Sequence, residues 1–180
     1  YVVLLLITQG LLIGFFAARD LLLFYILFEA TLIPLFFIIG IWGGKERVYA
    51  AFKFFLMTFI GSLGFLVALL AIYQQYGTFD MSILKSEMVR EPPYAWIWLA
   101  MFFAFSVKVP MFFVHTWLPH AHVEAPTTGS MLLAGILLKV GGYGMLRCLL
   151  ELMPYLTFQH SSFARILSII AILYASFIAF

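Results

Sequence analysis

The sequence predicts an all-α integral membrane protein, and three observations lead to that fold class. Hydrophobic residues make up 65% of the 180 positions and charged residues only 10%, where an ordinary soluble domain carries about 25%. There is too little polar surface to cover a globule in water, so lipid is the solvent that suits this chain. The apolar residues fall in runs of membrane length, separated by short polar punctuation. Three ionisable residues, Glu29, Lys108 and Lys139, lie deep inside those runs rather than at their ends.

Val2 to Ala18 reads as the first span and is broken by Arg19-Asp20. The second span, Leu21 to Trp42, is followed by the loop Gly43-Gly44-Lys45-Glu46-Arg47, and the third runs from Tyr49 to Tyr73. Gln74 to Pro93 is the longest polar stretch, an extramembrane loop whose Leu84–Val89 section can form a short interfacial helix. The fourth span, Tyr94 to Leu118, contains Pro110. Proline removes an amide donor and crowds the preceding turn, so a break is expected there. Pro119 to Thr128 reads as a polar turn, and Gly129–Leu152 and Phe163–Phe180 as the fifth and sixth spans. A run of about 22 residues rises about 33 Å as a helix, enough to cross a bilayer. Strands of a membrane barrel would be shorter and would alternate in polarity, which these runs do not. The prediction is therefore a single membrane domain over residues 1–180 with about six spans.

Other classes are disfavoured. A net charge of +2, with no basic run interleaved with aromatics, does not suit a nucleic-acid partner. The single cysteine, Cys148, excludes an intrachain disulfide and a cysteine-based cluster. Tyr1 opens inside an apolar run with no charged n-region or cleavage site, so the sequence reads as an internal piece of a longer protein. Lys45, Arg47 and Lys53 fall on one side, against Arg19, Lys85, Arg90, Arg147 and Arg165 on the other. That balance does not set the topology.

Most ionisable residues sit near span ends, where long side chains reach the headgroups. Lys53 is of this kind, and Arg147 and Glu151 are spaced to pair along one helix face. Glu29, Lys108 and Lys139 are different. Lys139 stands about 15 Å from either end of its span, beyond the reach of a lysine stem. A charge at the bilayer centre costs about 2.5–3.5 kcal/mol before pairing, so such residues call for partners or an aqueous cavity. One reading is a structural Glu–Lys pair, which adds little net stability. The other is an ion path. Burial disfavours the charged form of either group and an opposite charge restores it, so approach and separation would act as a proton switch. Spacing alone does not decide which lysine neighbours Glu29. Pro110, two residues after Lys108, strengthens the second reading, because broken helices recur at ion sites in transporters. Pro34, five residues after Glu29, has the same ambiguity.

The run from His115 through His120 and His122 to Glu124 contains suitable metal ligands, but its spacing matches no standard helical pair. Histidines acting as polar, protonatable caps at the end of a broken helix fit better, and His115 and His122 join Pro110 as supporting residues. No metal is expected. The glycines of Gly141-Gly142-Tyr143-Gly144 lie in an apolar helix without a preceding strand, so they suit close helix packing rather than a nucleotide loop.

Four segments together carry a family resemblance: Phe105-Ser-Val-Lys108-Val-Pro110, His115-Thr-Trp-Leu-Pro, Ala121-His-Val-Glu-Ala-Pro126 and Leu133-Ala-Gly-Ile-Leu-Leu-Lys139-Val-Gly-Gly-Tyr-Gly. With Arg19-Asp20-Leu-Leu-Leu-Phe-Tyr and Phe28-Glu29, they resemble the antiporter-like membrane subunits of respiratory complex I. Within that family they look more like the M type, chain 4 in mitochondria, than the sister L and N types. The resemblance implies a bundle with two inverted repeats, of which this chain would hold the first, as roughly the fourth to ninth helices. It implies that Glu29 is the fifth-helix glutamate, paired with Lys108 on a broken seventh helix, and that Lys139 is the eighth-helix lysine passing protons onward. His120 receives no role from it.

The activity implied is proton translocation coupled to quinone reduction by NADH, in a bacterial inner membrane or the mitochondrial inner membrane. Flavin, iron–sulfur clusters and quinone would belong to partner subunits, with none of these cofactors on this chain, and the L and N type chains would be neighbours. The resemblance also implies that the Lys45–Arg47 loop faces the cytoplasm or matrix. Two other readings of the residues are a cation/proton antiporter subunit without redox partners and a non-conducting membrane scaffold.

Overall fold

In the computed structural model, which describes residues 1–179, every regular element is a helix. The chain runs through α1 (Val2–Ala17), α2 (Leu21–Ala30), α3 (Leu32–Trp42), α4 (Arg47–Tyr76) and α5 (Met81–Arg90). It continues through α6 (Ala95–Lys108), α7 (Trp117–Glu124), α8 (Thr127–Glu151), α9 (Pro154–Gln159) and α10 (Ser161–Ala179). Leu21–Trp42, Arg47–Tyr76, Thr127–Glu151 and Ser161–Ile178 are long and apolar enough to cross a membrane, and α1 and α6 are shorter apolar helices. The protein is an all-α integral membrane protein.

Several elements differ from the sequence reading, each for a local reason. The 21–42 run is interrupted at Thr31, whose hydroxyl donates to the Phe28 carbonyl at 2.8 Å. Pro34 cannot supply the amide that the Ala30 carbonyl would take in a continuous helix. The segment read as a polar turn from Pro119 is helical as far as Glu124. Pro119 is the third residue of α7, in the first turn, where a missing N–H leaves nothing unpaired. The interfacial helix expected at Leu84–Val89 extends to Met81–Arg90, because Asp80 accepts the amides of Ser82 at 2.8 Å and Ile83 at 3.3 Å. Two π-helical turns, Leu133–Leu137 and Met145–Glu151, lie within α8. The last helix begins at Ser161, and Phe180, the expected end of the sixth span, lies outside the described residues.

Two sets of contacts fix which loops share a face of the bundle. Asp20 caps α2 by accepting the Leu23 amide at 2.9 Å. The turns before α2 and α5 pair through Leu21 N–H to Phe79 O at 2.9 Å and Met81 N–H to Arg19 O at 3.0 Å. The same face receives the end of α8, where Lys85 meets Glu151 at 3.2 Å and Arg147 meets Glu151 at 2.5 Å. The pairing expected of Arg147 and Glu151 is therefore formed. On the opposite face the loop before α4 meets the end of α7 through Gly44 N–H to Glu124 O at 2.9 Å.

The central element is α6, clasped by glycines on both sides. A Cβ at Gly61 of α4 would lie 2.6 Å from Val107, and one at Gly64 3.1 Å from the Ala100 carbonyl. On α8 a Cβ at Gly141 would lie 2.8 Å from the Lys108 Cβ, and one at Gly144 2.4 Å from the Phe105 ring. Gly142 faces open space. The close packing expected of this glycine run thus rests on its two outer members. Phe15, Phe24, Phe28, Phe65 and Phe105 fill the core beside them, all fully buried.

Gly144→Val is expected to lower the thermal stability of the assembled protein in detergent by about 1–3 kcal/mol, the usual cost of overpacking, while Gly142→Val leaves it unchanged. A second expectation concerns Asp80. The two amides it accepts hold its carboxyl below the ordinary value, so the cap is complete at neutral pH. It is lost only as the pH falls through that lowered value. Protection factors of the amides in α5, measured from pH 7 downward, should fall there, and Asp80→Asn should remove that fall.

Candidate functional site

Lys108 is the last residue of α6 and is completely buried. The helix stops because Pro110 brings no amide for the Ser106 carbonyl. Met111 N–H takes that acceptor instead, at 2.9 Å. The Val107 carbonyl consequently loses its helical donor and accepts the indole N–H of Trp117 at 3.0 Å. The chain then crosses residues 109–116 without a helix. Among the described residues, Phe113 is the one non-glycine residue with a left-handed backbone, at φ 77°, a conformation unfavourable for a bulky side chain. Both carbonyls freed by the proline are satisfied inside the protein, as a membrane interior requires.

The Lys108 ammonium points into the interruption between α2 and α3. Its Nζ lies 3.5 Å from the Phe28 carbonyl, the outer limit of a hydrogen bond, and 4.4 Å from the centre of the Phe28 ring. That distance is within cation–π range. The same carbonyl accepts the Thr31 hydroxyl. Glu29 is the next residue. Both of its carboxyl oxygens are buried without a hydrogen-bond partner: the nearby Ser62 hydroxyl donates to the Phe59 carbonyl at 2.7 Å instead, and Lys108 is the charge that acts on it. No Glu29–Lys108 ion pair within 4.0 Å occurs among the described residues. The geometry thus rests the ammonium on the main-chain carbonyl of the residue before Glu29, with the Glu29 carboxyl unpaired.

Lys139 stands apart. Its helix reaches Lys108 through Gly141, but its own side chain is exposed in the described structure. Its Nζ donates to the Ala134 carbonyl at 3.0 Å, inside the first π turn of α8. His115 lies in the break itself, with Nε2 3.3 Å from the Tyr174 hydroxyl and Nδ1 buried without a partner. His122 has Nδ1 2.6 Å from the Ser130 hydroxyl, and the His120 ring lies 5.6 Å from that of Tyr49. The expected residues therefore divide. Glu29, Lys108 and Pro110 share one site, while Lys139, His115 and His122 each have separate surroundings. Among the described residues, no three His, Cys, Asp or Glu side chains gather as metal ligands.

Three participants were not singled out in the sequence. Thr31 and Ser62 look like ordinary small polar residues in apolar helices, and Trp117 like a membrane-interface aromatic. The separation of Thr31 and Pro34 just after an intramembrane glutamate was the one available sign of a second helix break.

Residues 18–180 match a family described as NADH:quinone oxidoreductase/Mrp antiporter, TM. The chain belongs to that family. NADH-quinone oxidoreductase subunit M of Rickettsia prowazekii is 51% identical over 99% of this chain and 37% of that protein. Subunit M of Rhodobacter capsulatus is 50% identical over 99% of this chain and 38% of that protein. NADH-ubiquinone oxidoreductase chain 4 of Chondrus crispus is 51% identical over 98% and 36%. The chain thus spans under two fifths of the length of these relatives.

Among solved structures, respiratory complex I from Thermus thermophilus with bound NADH contains a chain matching 89% of this one, with a TM-score of 0.80 at 39% identity; 35% of that chain is covered. The membrane-bound sulfane sulfur reductase, an archaeal respiratory membrane complex, matches 81% of this chain with a TM-score of 0.69 at 27% identity, covering 24% of its own chain. The region matching the NADH:quinone oxidoreductase/Mrp antiporter family contains both helix interruptions and Glu29, Lys108 and Lys139.

Trp117→Phe keeps an aromatic ring but leaves the Val107 carbonyl without a donor. It is expected to cost about 1–3 kcal/mol, the price of a buried unsatisfied group, read as a lower midpoint in thermal unfolding of the purified protein.

Proposed function

We propose that this chain is part of a proton-translocating membrane subunit of an NADH–quinone oxidoreductase, seated in a bacterial or mitochondrial inner membrane. The single observation that carries the reading is the placement of two groups that no ion pair neutralises. The fully buried Lys108 ammonium lies against the Phe28 carbonyl at a helix break, and the residue after Phe28 is Glu29, whose buried carboxyl has no hydrogen-bond partner. A structural ion pair would hold the two together. Here the Lys108 ammonium rests on the Phe28 carbonyl, and the Glu29 carboxyl, beyond ion-pair distance, is the second acceptor we propose for it. Shifting between them would change how strongly each group holds its proton.

In this reading Glu29 and Lys108 form the modulated pair, and Lys139 passes the proton onward. Pro110 makes the break, and His115 and His122 support the segment after it. Quinone reduction takes place in partner subunits, which hold the flavin, iron–sulfur clusters and quinone, and antiporter-like L and N type chains are membrane neighbours. The relatives that match nearly the whole chain are named as subunits of quinone oxidoreductases. That support is lacking for an antiporter without redox partners and for a non-conducting scaffold.

The test is proton pumping by the full-length subunit, assembled in its complex in inverted membrane vesicles. Lys108→Ala is expected to reduce protons moved per electron several-fold, with Lys139→Ala also impaired, while the complex still assembles. Full pumping in the double variant would overturn the proposal.

A further inference from the structure

The short helix α7 carries the Trp117 indole that completes the helix break beside Lys108, yet it has eight residues and no side-chain cap of its own. A helix of that length does not hold its place unaided. Its inner end is fastened by Trp117 to the Val107 carbonyl. Its outer end is fastened by Glu124. The Glu124 Oε2 accepts the Glu46 amide at 2.9 Å, and the Glu124 carbonyl accepts the Gly44 amide at 2.9 Å.

The side-chain contact has a recognisable purpose. Glu46 is the N-cap of α4, and in a capping box the N-cap amide is taken by an acidic side chain three residues into the same helix. In α4 that position is Tyr49. Glu124 of another helix supplies the missing acceptor. The loop is shaped to admit it. A Cβ at Gly44 would lie 2.6 Å from Glu124 Oε2, and one at Gly43 2.8 Å from Glu124 O. Toward the membrane interior α7 packs on α4, with the Trp117 and Phe54 rings 5.4 Å apart and Ala121 fully buried. At the outer end a cavity of about 280 Å³ opens between them, lined by Glu46, Tyr49, His120 and Glu124 among others. There the Glu124 hydrogen bonds and the Tyr49–His120 ring contact join the two elements.

We infer that Glu124 is a positioning residue for the Lys108 site: it anchors the outer half of the broken helix to α4, so that Trp117 stays on the Val107 carbonyl. The inference rests on the transport reading above for its functional consequence, but not for the contact itself. The anchor needs an acceptor of the right reach and does not need a negative charge.

Gln and Asp variants separate these requirements. In the full-length subunit within the assembled complex, Glu124→Gln is expected to keep protons pumped per electron near the unsubstituted level. Glu124→Asp, charged but one methylene shorter, is expected to lower the ratio several-fold, with faster amide exchange at Gly44 and Glu46. The reverse order, Asp active and Gln impaired, would overturn the inference, because charge rather than reach would then matter. Equal, undiminished pumping in both would overturn it too. Lys108→Ala is measured alongside. If it pumps normally the transport reading fails; if it does not, and Glu124→Asp does, only the positioning role fails. A variant-free arm reads amide exchange in the native complex: Gly44 and Glu46 should be protected like amides inside α4, and free exchange at Glu46 would overturn the contact.

Discussion

Lys108 ends its helix while fully buried, and the arrangement around it follows from satisfying one ammonium and two orphaned carbonyls there. Pro110 removes a donor, Met111 recovers the Ser106 carbonyl, and the Val107 carbonyl is left over. In water such a group would be hydrated at little cost; at membrane depth it needs a protein donor. Trp117 answers that need, which requires the chain to turn back after the break and restart a helix. The restart is α7, and its own support from the α4 loop follows in turn.

The same constraint explains the crowding about α6. A lysine kept fully buried excludes water only if its neighbours approach closely, and the glycines at 61, 64, 141 and 144 allow that approach. Phe28 completes the enclosure, its ring and carbonyl both facing the ammonium. The enclosure leaves the ammonium solvated by a carbonyl dipole and a ring quadrupole rather than by a full counter-charge. Such an environment holds the lysine without fixing it.

Much of this was legible in the sequence, and the remainder was hidden for specific reasons. The apolar helical runs, the break at Pro110 and the burial of Lys108 follow from length, hydropathy and proline chemistry. These are local properties, and so is the i,i+4 pairing of Arg147 with Glu151. The interruption at Thr31 was read as continuous because its residues are apolar throughout and proline kinks are common in membrane helices. The part of the Trp117–Glu124 helix from Pro119 onward reads as a turn because its two histidines, glutamate and proline look like loop residues. They become helical because Trp117 and Glu124 are bonded at either end by other elements. That information is tertiary. The π turns of α8 likewise leave no mark in the hydrophobic pattern.

Those π turns bear on how two lysines in one membrane domain are held. Lys139 donates to the Ala134 carbonyl within a π turn, and Lys108 lies against the Phe28 carbonyl at a helix interruption. In both cases an irregularity in the main chain turns a carbonyl toward an ammonium; π turns and helix breaks are frequent at functional sites. A regular helix offers no such acceptor, since its carbonyls are committed to the amides four residues on. A carboxylate held against either lysine would favour its charged form more strongly. A carbonyl lowers the cost of burying Lys108 and leaves either lysine free to exchange partners. The irregular backbone is therefore part of the electrostatics of the site, and substitutions that restored ideal helices at Pro110 or in the first π turn would be expected to lose function while gaining regularity.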